Sequence, residues 1–182
     1  GFGILKDTVK SKTNVKFDVK INNVALGDFT GVAELNITPN LVSSSLMRPS
    51  VKYYNHMTTV DTKLKFENIQ VYRFDDFIFK SKNDGIESAI CNYKENNYFL
   101  KIDTQGFELK VLKGFGDYLN LAKVVLLECS LVESYTDRPL LNDIVLYMEK
   151  NGFCVSGIFQ GYFDDNTFQL YEVDVVFMRL DG

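Results

Sequence analysis

Residues 98–113 constrain the chain more than any other stretch. Tyr98-Phe99-Leu100-Lys101-Ile102 is a short apolar strand that stops at Asp103. Thr104-Gln105-Gly106 supplies a turn, and residues 107–113 take up helical spacing through Leu109 and Leu112, with Gly114 and Gly116 as stop signals. Val124-Val125-Leu126-Leu127 follows as a continuous apolar run ending at Glu128, the pattern of a strand buried on both faces. A strand, a helix and a second buried strand in that order make a parallel pair, because a tight hairpin cannot join parallel strands. The unit commits the chain to an open α/β sheet, where ligands sit at the carboxyl ends of the parallel strands. Asp103 and Glu128 occupy those two places.

The flanking segments extend this reading. Val15, Phe17, Val19 and Ile21 alternate with polar residues as a half-buried strand does, and Val24-Ala25-Leu26 continues it. Gly27-Asp28-Phe29-Thr30-Gly31 reads as a turn into a strand through Val32, Leu35 and Ile37, which predicts a hairpin. Residues 40–59 are polar and read as a long loop, with room for a short helix, carrying Ser43-Ser44-Ser45; long loops in compact domains are often functional. Residues 62–74 predict another strand and 77–93 a helix. Leu141, Ile144, Val145 and Met148 mark an amphipathic helix over 140–150, with Gly152 past its end. Two last strands, 153–159 and 173–180, flank the Asp-rich connection 161–167 and predict an antiparallel hairpin. No internal repeat or linker interrupts residues 1–182, so one domain is expected.

Composition narrows the function. The net charge of −4 carries no basic stripe, so neither nucleic acid nor an anionic membrane surface is an expected partner. Cys91, Cys129 and Cys154 form no CxxC pair and His56 is the single histidine, which leaves no zinc cluster and no disulfide framework. Reduced thiols, together with the absence of a signal peptide or a membrane-length apolar run, lead to a cytoplasmic expectation.

The stretch Leu100-Lys101-Ile102-Asp103-Thr104-Gln105-Gly106-Phe107-Glu108, continuing Val111-Leu112-Lys113-Gly114, resembles the signature of FkbM-family methyltransferases. Asn23-Val24-Ala25-Leu26-Gly27-Asp28, Ser43-Ser44-Ser45-Leu46, Phe74-Asp75-Asp76-Phe77 and Val173-Asp174-Val175-Val176-Phe177 are similar to further blocks of that family, in the same order. The resemblance implies a Rossmann-like class I methyltransferase sheet whose last strand is antiparallel. It implies S-adenosylmethionine as cofactor and methyl transfer to a hydroxyl oxygen of a sugar or polyketide-type small molecule. The family's opening strand, its acidic glycine-rich loop and the strand ending in a ribose-gripping acid have no counterpart in residues 1–182; residues 1–14 resemble the helix that follows them. The expectation is therefore a methyltransferase domain lacking its first strands. The alternative is a non-catalytic relic or interaction module that keeps the fold.

Methyl transfer is an in-line displacement that depends on holding oxygen and sulfonium together, with a base for the hydroxyl proton. Asp103 and Glu128 are the candidate catalytic acids. For Asp103 the competing role is to cap the helix that follows. Gln105, Glu108 and Ser45 are candidate substrate-binding residues, with Ser44 beside them in a loop over the acceptor. By the resemblance, Val24, Ala25 and Asp28 map beside the cofactor's adenine, although Asp28 also suits a plain turn. Lys101 suits a partner charge, and His56 a surface position. Asp103 and Glu128 could hold a divalent ion, but their spacing does not demand one and no metal is expected.

Overall fold

The computed structural model describes residues 21–38, 43–48, 50, 65–80 and 98–180. The expected strand over 15–19, the helix resemblance over 1–14, His56, Cys91 and the helix beyond residue 80 lie outside them. The described elements, in chain order, are β1 (Ala25–Leu26), β2 (Gly31–Ile37), β3 (Lys65–Tyr72), α1 (Phe74–Lys80), β4 (Tyr98–Ile102), α2 (Glu108–Phe115), a 3₁₀ turn (Gly116–Leu121), β5 (Ala122–Ser130), α3 (Leu141–Lys150), β6 (Phe153–Gln160), β7 (Phe163–Asp164), β8 (Gln169–Leu170) and β9 (Glu172–Arg179). They make a mixed α/β fold.

The larger sheet has the order β4-β5-β9-β6. β4 and β5 run parallel, as the strand–helix–strand unit requires, while β9 is antiparallel to both β5 and β6. The expected C-terminal antiparallel pair is therefore present, and its connection folds into a small hairpin of its own, β7 with β8. Val125, Leu127 and Cys129 of β5 and Val173, Val175 and Phe177 of β9 turn one face inward. There they join Val111, Leu112 and Phe115 of α2 and Ile144 and Met148 of α3 in one buried cluster. Phe74 stacks on Phe115 with ring centroids 4.1 Å apart, which fastens α1 to α2.

Three expectations need correction. β1 and β2 are not hairpin partners: β3 lies between them, parallel to β1 and antiparallel to β2, with Val71 opposite both Ala25 and Gly31. Val71 is fully buried, so this order puts the buried residue of β3 between both neighbouring strands. β5 does not end at Glu128; Cys129 and Ser130 extend its ladder with β9. The parallel ladder does stop one residue earlier, at Ile102 opposite Leu127, so Glu128 still lies just past its carboxyl end. Gly114 is not a stop. α2 runs through it to Phe115, and a Cβ at Gly114 would lie 1.8 Å from the Gly27 carbonyl oxygen. Glycine is needed there because the helix backbone rests on the backbone after β1. Gly116, with φ of 53°, is the residue that ends the helix.

Candidate active site

The turn between β4 and α2 is built by a carboxylate from the helix itself. Glu108, 3% exposed, accepts from the backbone N–H of Thr104 at 2.9 Å and of Gly106 at 3.0 Å, and from the Thr104 hydroxyl at 3.3 Å. Those bonds hold Gln105 and Gly106 at φ of 54° and 98°, a conformation that is costly for Gln105. Glu108, expected to bind substrate, thus faces its own turn. It also leaves Asp103 free of capping duty. Phe107 stands at the helix N-terminus without a side-chain cap, and Asp103 meets Lys101 Nζ at 3.2 Å and Gln105 Nε2 at 3.4 Å instead.

Ser45 locks the turn from the far side. Its hydroxyl donates to the Gln105 carbonyl at 2.6 Å and accepts from Met47 N–H at 3.0 Å, and its backbone pairs with Asn36 of β2. With both hydroxyl functions engaged, Ser45 acts as an anchor of the loop. Gln105 Nε2 also donates to Glu128 Oε2 at 2.9 Å, so one amide meets both candidate acids. The Tyr135 hydroxyl donates to the Ser43 carbonyl at 2.9 Å and lies 3.4 Å from Gln105 Oε1.

Behind Glu128 lies Arg138, whose side chain is fully buried. Its Nη1 donates to Glu172 at 2.6 Å and to the Ser134 hydroxyl at 2.7 Å, and its Nη2 to Glu128 Oε2 at 3.3 Å. Burial first, and then the neighbouring Glu172 and Asp103 charges, push the Glu128 carboxyl up to about 7, against the opposing pull of Arg138. A carboxyl in that range exchanges protons near neutral pH, as a general base must. Burial likewise pushes the Tyr135 phenol and the Cys129 thiol up to about 12, so neither is an ionised nucleophile at neutral pH.

Beside the turn is a cavity of about 440 Å³. Val24, Ala25, Leu46, Ile69, Leu100 and Phe107 give it apolar walls, and Ser44, Ser45, Lys101, Asp103 and Thr104 give it polar atoms. An apolar chamber of this size with a few polar groups is the usual form of a small-molecule site. Of the expected cofactor residues, Val24 and Ala25 line it. Asp28 does not; its carbonyl accepts from Arg73 at 3.4 Å. Among the described residues no three His, Cys, Asp or Glu side chains gather as a metal set, and no helix is long and apolar enough to cross a membrane.

The model of the methyltransferase FkbM domain matches residues 6–155. The chain belongs to the FkbM methyltransferase family. No curated protein and no solved structure matches it. The match spans the β4–turn–α2–β5 unit, so in this FkbM domain the matched segment carries both Asp103 and Glu128. Arg138, Tyr135 and Glu172 were not singled out from the sequence. The one available signal was an arginine set between Asp137 and Pro139 in the loop after the Glu128 strand; Glu172 lies 34 positions further along and gave none.

Proposed function

We propose that this FkbM domain transfers a methyl group from S-adenosylmethionine to a hydroxyl oxygen of a sugar or polyketide-type small molecule. The observation that carries the reading is the Gln105 amide, which meets Asp103 and Glu128 together beside the apolar cavity. An antiparallel last strand against a parallel pair also suits the Rossmann-like methyltransferase sheet.

The residues lining the cavity suit part of such a cofactor. The apolar walls at Val24, Leu46 and Phe107 suit a purine face, and the Asp103 carboxylate in the lining suits a cationic sulfonium. When bound, S-adenosylmethionine supplies an electrophilic methyl group. Glu128 takes the acceptor's hydroxyl proton, Asp103 orients the hydroxyl, and Gln105 keeps the two carboxylates in fixed relation. Holding oxygen and methyl donor in line is worth more than any single contact.

The test has two arms. S-adenosylhomocysteine is titrated against this chain and against a version carrying about 60 further upstream residues where the reading frame provides them, the length of two strands and a helix. Methyl transfer from labelled S-adenosylmethionine is then followed on a panel of hydroxylated acceptors, with Glu128→Gln expected to lower it about 100-fold and to leave analogue affinity nearly unchanged. Binding by neither protein sinks the cofactor reading and leaves the interaction module in its place.

A further inference from the structure

Glu128 does not stand alone at the end of the parallel ladder. Both of its hydrogen bonds among the described residues, from Gln105 Nε2 at 2.9 Å and Arg138 Nη2 at 3.3 Å, fall on Oε2. Oε1 takes none there, and the side chain keeps 19% of its surface open. Among the described residues, one oxygen is anchored and the other is not.

Arg138 divides itself unevenly. Its contact with Glu172 is 2.6 Å and its contact with Glu128 is 3.3 Å, while the guanidinium carbon stacks 5.4 Å from the Tyr135 ring centroid. A guanidinium clamped by two parallel bonds onto Glu128 would keep that carboxylate permanently ionised and make it a poor proton acceptor. Here Glu172 takes the closer bond, and Glu128 receives a directional contact with only part of the charge. A buried arginine shared by two acids is a weak source of stability compared with apolar packing, so stability alone does not explain its position beside the Asp103–Gln105–Glu128 group.

We propose that the Glu172–Arg138 pair is a positioning device for Glu128: it anchors Oε2, turns Oε1 outward, and balances the charge so that the carboxyl can alternate between its two protonation states. This rests on the proposed role of Glu128 as proton acceptor. Among the described residues, the charged and titratable groups around Glu128 are Asp103 just after β4 with its partner Lys101 in β4, Glu108 from α2, Tyr135 and Arg138 from the loop after β5, Glu172 and Asp174 from β9, and Cys129 on its own strand. Glu172 and Arg138 act on the carboxyl in opposite directions, Glu172 raising its proton affinity and Arg138 lowering it.

The test is titration of the Glu128 carboxyl carbon by NMR in the full chain labelled at glutamate side chains, with Glu128→Gln used to assign the resonance. Glu172→Gln removes a repelling charge and frees Arg138 for Glu128; it raises the ionised-to-protonated ratio at pH 7 about tenfold. Arg138→Gln moves the ratio by a similar factor the other way, and Arg138→Lys, which keeps the charge, replaces it if that variant fails to fold and stays close to the parent protein. Opposite displacements by Glu172→Gln and Arg138→Gln, or by Glu172→Gln against an unmoved Arg138→Lys, support the proposal. Displacements in one direction, or none, overturn it. The acid limb of kcat/KM for methyl transfer is expected to follow the same directions. Failure of both this chain and its upstream-extended version to bind S-adenosylhomocysteine sinks the proposed function instead, and the NMR result then stands separately.

Discussion

Gln105 Nε2 lies 2.9 Å from Glu128 Oε2, and this bond ties the turn after one parallel strand to the end of the next. Gln105 holds a backbone conformation that favours glycine, and four groups keep it there: the Glu108 carboxylate under the turn, the Ser45 hydroxyl on its carbonyl, and the Asp103 and Glu128 carboxylates its amide meets. Strain held by that many partners belongs to a site whose geometry has a use.

Replacing Gln105 separates the two contributions. Gln105→Ala loses the amide and keeps the strained backbone, and is expected to cost about 1–3 kcal/mol in urea denaturation. Gln105→Gly also loses the amide but relieves the backbone, and recovers about 1 kcal/mol of that cost. Equal stability of the two variants would show that the positive φ carries no strain.

Glu108 is expected to be structural. Glu108→Ala strips the acceptor from two backbone N–H groups of the turn and lowers stability by about 2–4 kcal/mol. Glu108→Gln retains an oxygen acceptor and recovers most of it. If Glu108→Gln proves as unstable as the alanine variant, the negative charge of Glu108, and not its acceptor geometry, holds the turn.

Gly114→Ala pits a methyl group against the Gly27 carbonyl oxygen at 1.8 Å, a backbone atom that cannot swing aside. The expected loss exceeds about 3 kcal/mol, because α2 or β1 must move. Since Val24 and Ala25 wall the cavity, the proposed binding of S-adenosylhomocysteine is expected to weaken with it. Gly116→Ala, where the close atom is the side-chain oxygen of Asp75 at 2.8 Å but φ of 53° with ψ of −135° lies in a region essentially reserved for glycine, is expected to cost about 1–3 kcal/mol, less than Gly114→Ala because a side chain can give way where a backbone carbonyl cannot. Thermal melts of the two variants check the order.

The Arg73–Asp75 pair gives a pH signature. The hydrogen bond from Arg73 holds the Asp75 carboxyl below its ordinary 3.8, so the folded chain binds that proton less tightly than the unfolded chain does. Its contribution is complete above pH 3.8 and disappears as the pH falls through the depressed value. With side chains 33% and 32% exposed, solvent screening keeps it below about 1 kcal/mol. Asp75→Asn is expected to lower stability at pH 7 by no more than that amount and to converge with the parent protein once Asp75 is protonated, so its fall in melting temperature below about pH 4 is flatter. A parallel fall in both proteins would assign the acid sensitivity elsewhere.

Local pattern was enough for β4, the turn, α2 and β5, because strand alternation, turn chemistry and helical spacing act over a few residues. It was enough to put Asp103 and Glu128 side by side, since parallel strands joined by one helix bring their carboxyl ends to the same edge. It was also enough for the antiparallel pairing of β6 with β9. The insertion of β3 between β1 and β2 was not legible, because alternation marks a strand's faces and says nothing about its neighbour. Gly114 looked like a helix stop, since a close backbone approach leaves no trace in the sequence except the glycine itself. Arg138 and Glu172 meet across 34 positions in a buried place that no spacing rule encodes. Which acids share an arginine, and therefore which carboxyl can exchange a proton near neutral pH, depends on burial and on distances of a few ångströms set by packing, and those exist only once the chain has folded.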